Sequence, residues 1–463
     1  MRSAESNLPP RIRSSPPGPR SLALARRLRA VESRNVTFLS DEFPIFWRKA
    51  RGSNVWDVDG NRFVDLTAGF AVAGAGHRNP RVVTALRQQI AQLLHGMGDV
   101  HPPEIKVRLL ERLSEISPFP DTRVILANTG AEAIEAALKT ARLRTGKPGV
   151  IAFTGAYHGL TYGALAATDR ELFRVPFEDQ LNPHVVRAPY PHPFRPPSGI
   201  AGSDDIGAAS LAAVRRLLDG PGGESIGCAI IEPVQGRGGD VVPPDGFLSG
   251  LAELCRARGV VLVFDEIYCG LGRTGRLFAC EHEGVVPDLL CIGKALSGAL
   301  PIAACLGPAD VMDSWPESTG EAKHTSTFLG NPLACAAAIA SLSEIERHAL
   351  AARAGQEGVR FFERLQALTD RHACIGEVRG RGLMVGLDLV RNPGTREPDP
   401  ELAGRLVTGA LRRGWLLLAG GPDGNVISLS PPLTISRALL DSSVRMLDDL
   451  LLEAVASPSP AAD

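Results

Sequence analysis

The chain is poor in lysine. Among 50 lysines and arginines only Lys49, Lys106, Lys139, Lys147, Lys294 and Lys323 are lysine. A sequence with this bias is expected to use Arg wherever a plain positive charge suffices. A lysine that closes an apolar run needs another reason. Strong net charge is also absent: the formal balance is −1, which excludes a field that recruits nucleic acid or a membrane surface. No apolar stretch reaches the ~18 residues that a bilayer span needs. The eight cysteines, at 228, 255, 269, 280, 291, 305, 335 and 374, contain no CxxC pair. Several lie inside apolar runs, which suits thiols used as small hydrophobes in a reducing compartment. The ten histidines form no ligand-spaced pair, and no metal site is expected. No internal repeat is visible.

The first twenty residues, MRSAESNLPPRIRSSPPGPR, are rich in Pro, Ser and Arg and read as a disordered tail. An Arg-rich, acid-poor start also occurs in organelle transit peptides. The Arg bias of the whole chain and the prolines favour a cytoplasmic protein with a loose N-terminus. SLALARRLRAVES reads as a short helix, and SNVWDVDGNRFVDLTAG as a hairpin around Asp59-Gly60. Helical patterning follows over 80–95 and 104–116. Then short apolar strands alternate with helices: RVILA (123–127), GVIAF (149–153), CAIIEP (228–233), VVLVFDE (260–266), LLCIG (289–293) and AACLG (303–307). Near-continuous apolar strands separated by helices indicate an α/β fold with a parallel sheet covered on both faces. Ligands of such sheets bind beyond the carboxyl ends of the strands. After residue 335 the pattern turns α+β, and ASPSPAAD ends the chain as a frayed tail. The expected organisation is a large domain over 76–335 and a smaller one built from 21–75 and 336–455.

Chemistry-bearing residues fall where the strands stop. VVLVFDE ends in Asp265 and Glu266, CAIIEP reaches Glu232, and LLCIG runs into Lys294. An acid at the end of a buried strand usually caps a helix or pairs with Arg. Three acids and a lysine on one edge of one sheet are harder to explain that way. NTGAEAIEAALK places Gly130 and Ala131 at a helix start, where backbone N–H groups and the helix dipole suit a phosphate. FTGAYHGL offers Tyr157 and His158 as rings that can stack on a flat ligand or simply pack. Asp265 could hold a proton on a ring nitrogen, and Lys294 could form a Schiff base. Phosphate, flat ring, protonated ring nitrogen and imine together describe pyridoxal 5′-phosphate (PLP). GLGRTG (270–275) spells a dinucleotide fingerprint, but it is detached from its strand, and the position ~20 residues on is Lys294–Ala295, where that motif requires an acid.

Seven motifs in order, NTGAEAIEAALK, AYHG, EPVQG, FDEIYCGLGRTG, PDLLCIGKALSG, TSTFLGNP and PPLTI, resemble the class III aminotransferases over roughly residues 35–440. That resemblance implies fold type I, with a mostly parallel seven-stranded sheet, and a homodimer with shared active sites. It implies that Lys294 carries PLP and moves protons, that Asp265 pairs with the pyridinium nitrogen, and that Glu232 lies near the phenolic oxygen. Gly130 and Ala131 would hold the phosphate, Tyr157 would stack on the ring, and Thr327 would reach the neighbouring subunit's phosphate. The departures concern substrate. Tyr268 stands where the family often has a Gln that touches the phenolic oxygen. Leu160 and Ser428 stand where members keep arginines for substrate carboxylates, and Arg237 where they keep a Glu. Phe70 falls at a pocket-lining position. The implied reaction is amino transfer from an amino acid or amine to a 2-oxo acid by a ping-pong cycle. The alternative is an amino-acid racemase or epimerase on the same fold, which needs no second carboxylate grip.

Overall fold

The computed structural model describes residues 6–456. The tail expected to fray lies outside them from residue 457 on. The first three strands are β1 (Trp47–Arg51), β2 (Asn54–Asp57) and β3 (Arg62–Asp65). β2 and β3 form the expected hairpin. Its turn is closed by Asp57, whose two carboxylate oxygens accept the backbone and side-chain N–H groups of Asn61, both at 2.8 Å.

Residues 8–14 depart from the disorder expected of the first twenty. The Leu8 N–H donates to Asn54 Oδ1 at 2.8 Å, Arg11 and Arg62 exchange backbone bonds at 2.8 Å, and the Arg13 N–H donates to Asn61 Oδ1 at 2.7 Å. Pro- and Arg-rich composition hid this, because the partners are side chains of a distant hairpin. A helix over Pro19–Val31 follows, with proline in its first turn.

The large sheet has seven strands: β4 (Thr122–Ala127), β5 (Gly149–Phe153), β6 (Val185–Ala188), β7 (Ile226–Ile231), β8 (Val261–Asp265), β9 (Leu289–Ile292) and β10 (Ala303–Pro308). Their order is β4-β10-β9-β8-β7-β5-β6. Only β10 runs against the rest. β5, β7, β8 and β9 are buried along their whole lengths, which is why they read as unbroken apolar runs. β6 was not legible: it is a four-residue edge strand with only Val185 and Val186 to mark it. The helix at 80 ends at Ile90, short of the expected 95. Leu93 and Leu94 continue its apolar pattern but are exposed.

The C-terminal part adds β11 (Ile375–Arg381), β12 (Met384–Asn392), β13 (Glu397–Pro398), β14 (Trp415–Leu416), β15 (Leu418–Gly420) and β16 (Val426–Leu429). β11, β12, β16 and β15 form one sheet, while β14 lies parallel to β3. No helix among the described residues is long and apolar enough to cross a membrane.

Candidate active site

Lys294 follows β9 and takes a left-handed backbone at φ 44°. Such a conformation in a non-glycine residue costs on the order of 1–3 kcal/mol and is held only by its surroundings. Here the Leu296 N–H donates to the Gly293 carbonyl at 2.9 Å, and Ala295 and Leu296 are buried beneath. The side chain enters a cavity of about 650 Å³, shared with Gly130, Tyr157, His158, Glu232 and Asp265. Removal from water pushes its ammonium below the usual 10.5, with Asp265 and Glu232 opposing.

Asp265 is the last residue of β8 and is buried. Its Oδ2 pairs with His158 Nδ1 at 2.7 Å, and its Oδ1 accepts the Ile267 N–H at 3.0 Å. The His158 backbone N–H donates to Thr168 Oγ1 at 3.0 Å, while its Nε2 is buried without a partner. The structure thus gives His158 a bond to the carboxylate where the sequence offered only a ring. Glu232 follows β7. Its Oε2 accepts the Tyr157 N–H at 3.0 Å and its Oε1 the Gly236 N–H at 3.1 Å. Burial pushes its carboxyl up to about 7, against the pull of His158.

β4 leads into the helix Gly130–Thr145, capped by Thr129 Oγ1, which accepts the Glu132 N–H at 3.2 Å. Gly159, at φ 128°, lets the Tyr157 loop close on this helix start. A Cβ there would lie 2.6 Å from Ala131 Cβ. The first turn's N–H groups and positive dipole end therefore line the same cavity as Lys294. Gly130 and Ala131 would hold a phosphate, Tyr157 would flank a flat ring, Asp265 would face a ring nitrogen, and Lys294 would supply the amine. These donors fit PLP.

The substrate-side residues also meet here. Phe70 belongs to a left-handed turn, Ala68–Ala71, with φ between 47° and 63°. Such a turn costs roughly 1–2 kcal/mol per non-glycine residue. Asp65 holds it: its oxygens accept the N–H groups of Thr67 at 2.8 Å and Gly69 at 3.1 Å and pair with His77 Nε2 at 2.7 Å. The turn presents Phe70 on the cavity wall, which Leu160 of the loop after Gly159 also lines. Tyr268 lines the same cavity with its hydroxyl turned to a neighbour. That hydroxyl pairs with Ser430 Oγ at 2.9 Å, and the Lys294 ammonium lies 4.7 Å from the ring centre. The backbone approaches the ring closely at Gly236, where a Cβ would lie 3.1 Å from Tyr268 Cγ.

A second cavity of about 230 Å³ shares Phe70, Arg237 and Tyr268 with the first and adds Arg170 and Ser428. Arg170 was missed in the sequence, since no motif surrounds it. Thr327 is exposed and lines neither cavity of its own chain.

Behind Ser428 lies Asp240, fully buried at φ 56°. Burial pushes its carboxyl from 3.8 up to about 7, although Ser428, Arg379 and Arg273 pull it down. A raised native pKa means that the folded state holds the proton more tightly than the unfolded chain. The stabilising contribution is whole below the unfolded value and is lost as pH rises through about 7. Between these limits it falls by up to about 1.4 kcal/mol per pH unit. Asp240→Asn should therefore flatten the decline in thermal stability between about pH 5 and about pH 8. Identical wild-type and variant slopes would mean that the carboxyl is ionised throughout.

The family model described as "Aminotransferase class-III" matches residues 37–451. A 4-aminobutyrate aminotransferase of Mycobacterium leprae is 41% identical over 442 residues, covering 94% of this chain and 96% of that protein. An alanine/serine racemase of Pyrococcus horikoshii is 34% identical, covering 95% and 92%. A PLP-bound amine transaminase from an uncultivated Pseudomonas species superposes with a TM-score of 0.85 at 30% identity, covering 91% of this chain and 98% of that one. A match running from the first hairpin to the last helix, on a fold with this strand order, makes the chain a member of the class-III aminotransferases and a PLP-dependent transaminase of fold type I.

Proposed function

We propose that Lys294 anchors the cofactor and that the amino donor carries an apolar or uncharged distal portion. The observation behind the donor is the wall of Phe70 and Leu160 facing Lys294, with Leu160 standing where the family resemblance leads one to expect arginine. Bound PLP supplies the electron sink for the donor carbon. Lys294 Nζ, with its pKa lowered by burial, would move the proton between that carbon and the cofactor carbon that takes up the amino group. Asp265 holds the proton at the ring nitrogen and is itself oriented by His158. The N–H groups at Gly130 and Ala131 bind phosphate, and Tyr157 packs on the ring. Thr327 reaches the partner's phosphate in a homodimer. Exposed Leu94, Met97 and Phe328 support an apolar subunit interface near it. All eight cysteines are unpaired and seven are buried, which supports a reducing, cytoplasmic setting.

A donor panel followed spectroscopically tests this reading. Neutral α-amino acids should convert the enzyme to its aminated form with kcat/KM one to two decades above 4-aminobutyrate, roughly the value of one charge-assisted carboxylate contact. Efficient 4-aminobutyrate turnover, as the names of several relatives suggest for those proteins, would overturn it. The likeness to alanine/serine racemase supports a second reading, inversion at the donor carbon. That reading predicts racemisation without net amination of the enzyme.

A further inference from the structure

The structure assigns Arg170 and Arg237 a joint task that rests on Lys294 being the reacting amine: they clamp the carboxylate attached to the substrate's reacting carbon. Amino transfer to a 2-oxo acid guarantees a substrate that carries such a carboxylate beside the carbon that reacts. Among the described residues, two guanidinium groups line the two cavities. Arg237 faces both cavities, and Arg170 faces the adjoining one. Neither makes an ion pair or a side-chain hydrogen bond with a described residue.

Their positions are nevertheless built. The Arg237 guanidinium lies 5.0 Å from the Tyr157 ring centre and 5.8 Å from that of Phe173. The Arg170 guanidinium lies 5.6 Å from the same Phe173 ring. One phenyl ring thus gathers two cations, and the faces of aromatic rings attract them. The Arg237 carbonyl accepts the Gly421 N–H at 3.2 Å, which ties its loop to the segment between β15 and β16. Burial and the charge of Arg237 both push Arg170 down, and Asp423 opposes. A second anion relieves that repulsion. Ser428 supplies a hydroxyl to the same cavity, where a third guanidinium would have crowded the other two.

The substrate class follows from the layout. With the carboxylate at the two arginines and the reacting carbon at Lys294, the remaining side chain extends along Phe70 and Leu160. Short α-amino acids and 2-oxo acids with apolar side chains fit. An amino acid whose carboxylate is three carbons away does not.

The test uses the PLP-loaded enzyme, wild type against Arg170→Gln and Arg237→Gln. Single-turnover rates are compared for L-2-aminobutyrate and for 1-propylamine, the same donor without its carboxylate. Each variant should lose ~10- to 100-fold more with the amino acid than with the amine. The double variant should lose less than the product of the single losses, because both groups hold one carboxylate. Calorimetric binding of butanoate to the same proteins should weaken at least ~10-fold in each variant. Arg170→Lys, which keeps the charge but not the fork, should recover only part of the loss. Equal losses on both donors, or butanoate affinity unchanged by Arg170→Gln, would overturn the clamp. A wild type that binds butanoate through both arginines yet aminates with no donor would sink the Lys294 reading and leave the clamp standing.

Discussion

Lys294→Ala should abolish covalent attachment of PLP and lower turnover by at least ~10⁴-fold, the cost of removing a proton-transfer group that also positions the reacting centre. Wild-type protein should be yellow, and borohydride should fix the cofactor on the peptide that contains Lys294. None of the other five lysines lines the cavity. Lys49 lies over the Trp56 ring at 4.4 Å, Lys106 Nζ donates to the Gly98 carbonyl at 2.6 Å, and Lys139 meets His324 at 3.3 Å. Label on Lys323 or any of these would show that the site is misassigned. The variant should still fold, since alanine relaxes side-chain demands at a residue whose neighbours Ala295 and Leu296 carry the packing.

Asp265→Asn should follow with the next largest loss, on the order of 10²–10³-fold in kcat, as for other preorganised electrostatic groups. The amide keeps the shape and can still accept the Ile267 N–H. It removes the negative charge proposed to hold a proton at the cofactor's ring nitrogen. It also changes the partner of His158 Nδ1 from a charged acceptor to a neutral one. The absorbance of the bound cofactor should shift with the loss. Turnover close to wild type would mean that another group holds the ring nitrogen.

Asp265, Glu232 and Lys294 were legible because each ends a run of residues buried on both sheet faces. A charged residue that closes such a run stands out against its neighbours. Arg170 was not legible. It precedes a four-residue helix that sets it beside Phe173, and only the fold brings that pair to Arg237. Phe70 was legible as a pocket position by resemblance, but its left-handed turn depends on Asp65 and His77, whose pairing no local pattern announces. β6 escaped because an edge strand needs few apolar residues. The tail at residues 8–14 escaped because composition reports what a segment can bury and is silent about what Asn54 and Asn61 offer it.

β14 joins β3 by pairing Trp415 with Val64, and the Ser430 N–H donates to the Leu66 carbonyl at 2.8 Å. Asn7 bonds Thr434 and Ser436, across separations of 427 and 429 residues. The first hairpin therefore leaves the ribosome long before its sheet can be completed. At roughly 5–20 residues per second, the separation of 351 residues from Val64 to Trp415 takes about 20–70 s to synthesise. During that interval the edge of β3 is open to any other strand. A truncation before residue 415 should therefore be recovered as aggregate.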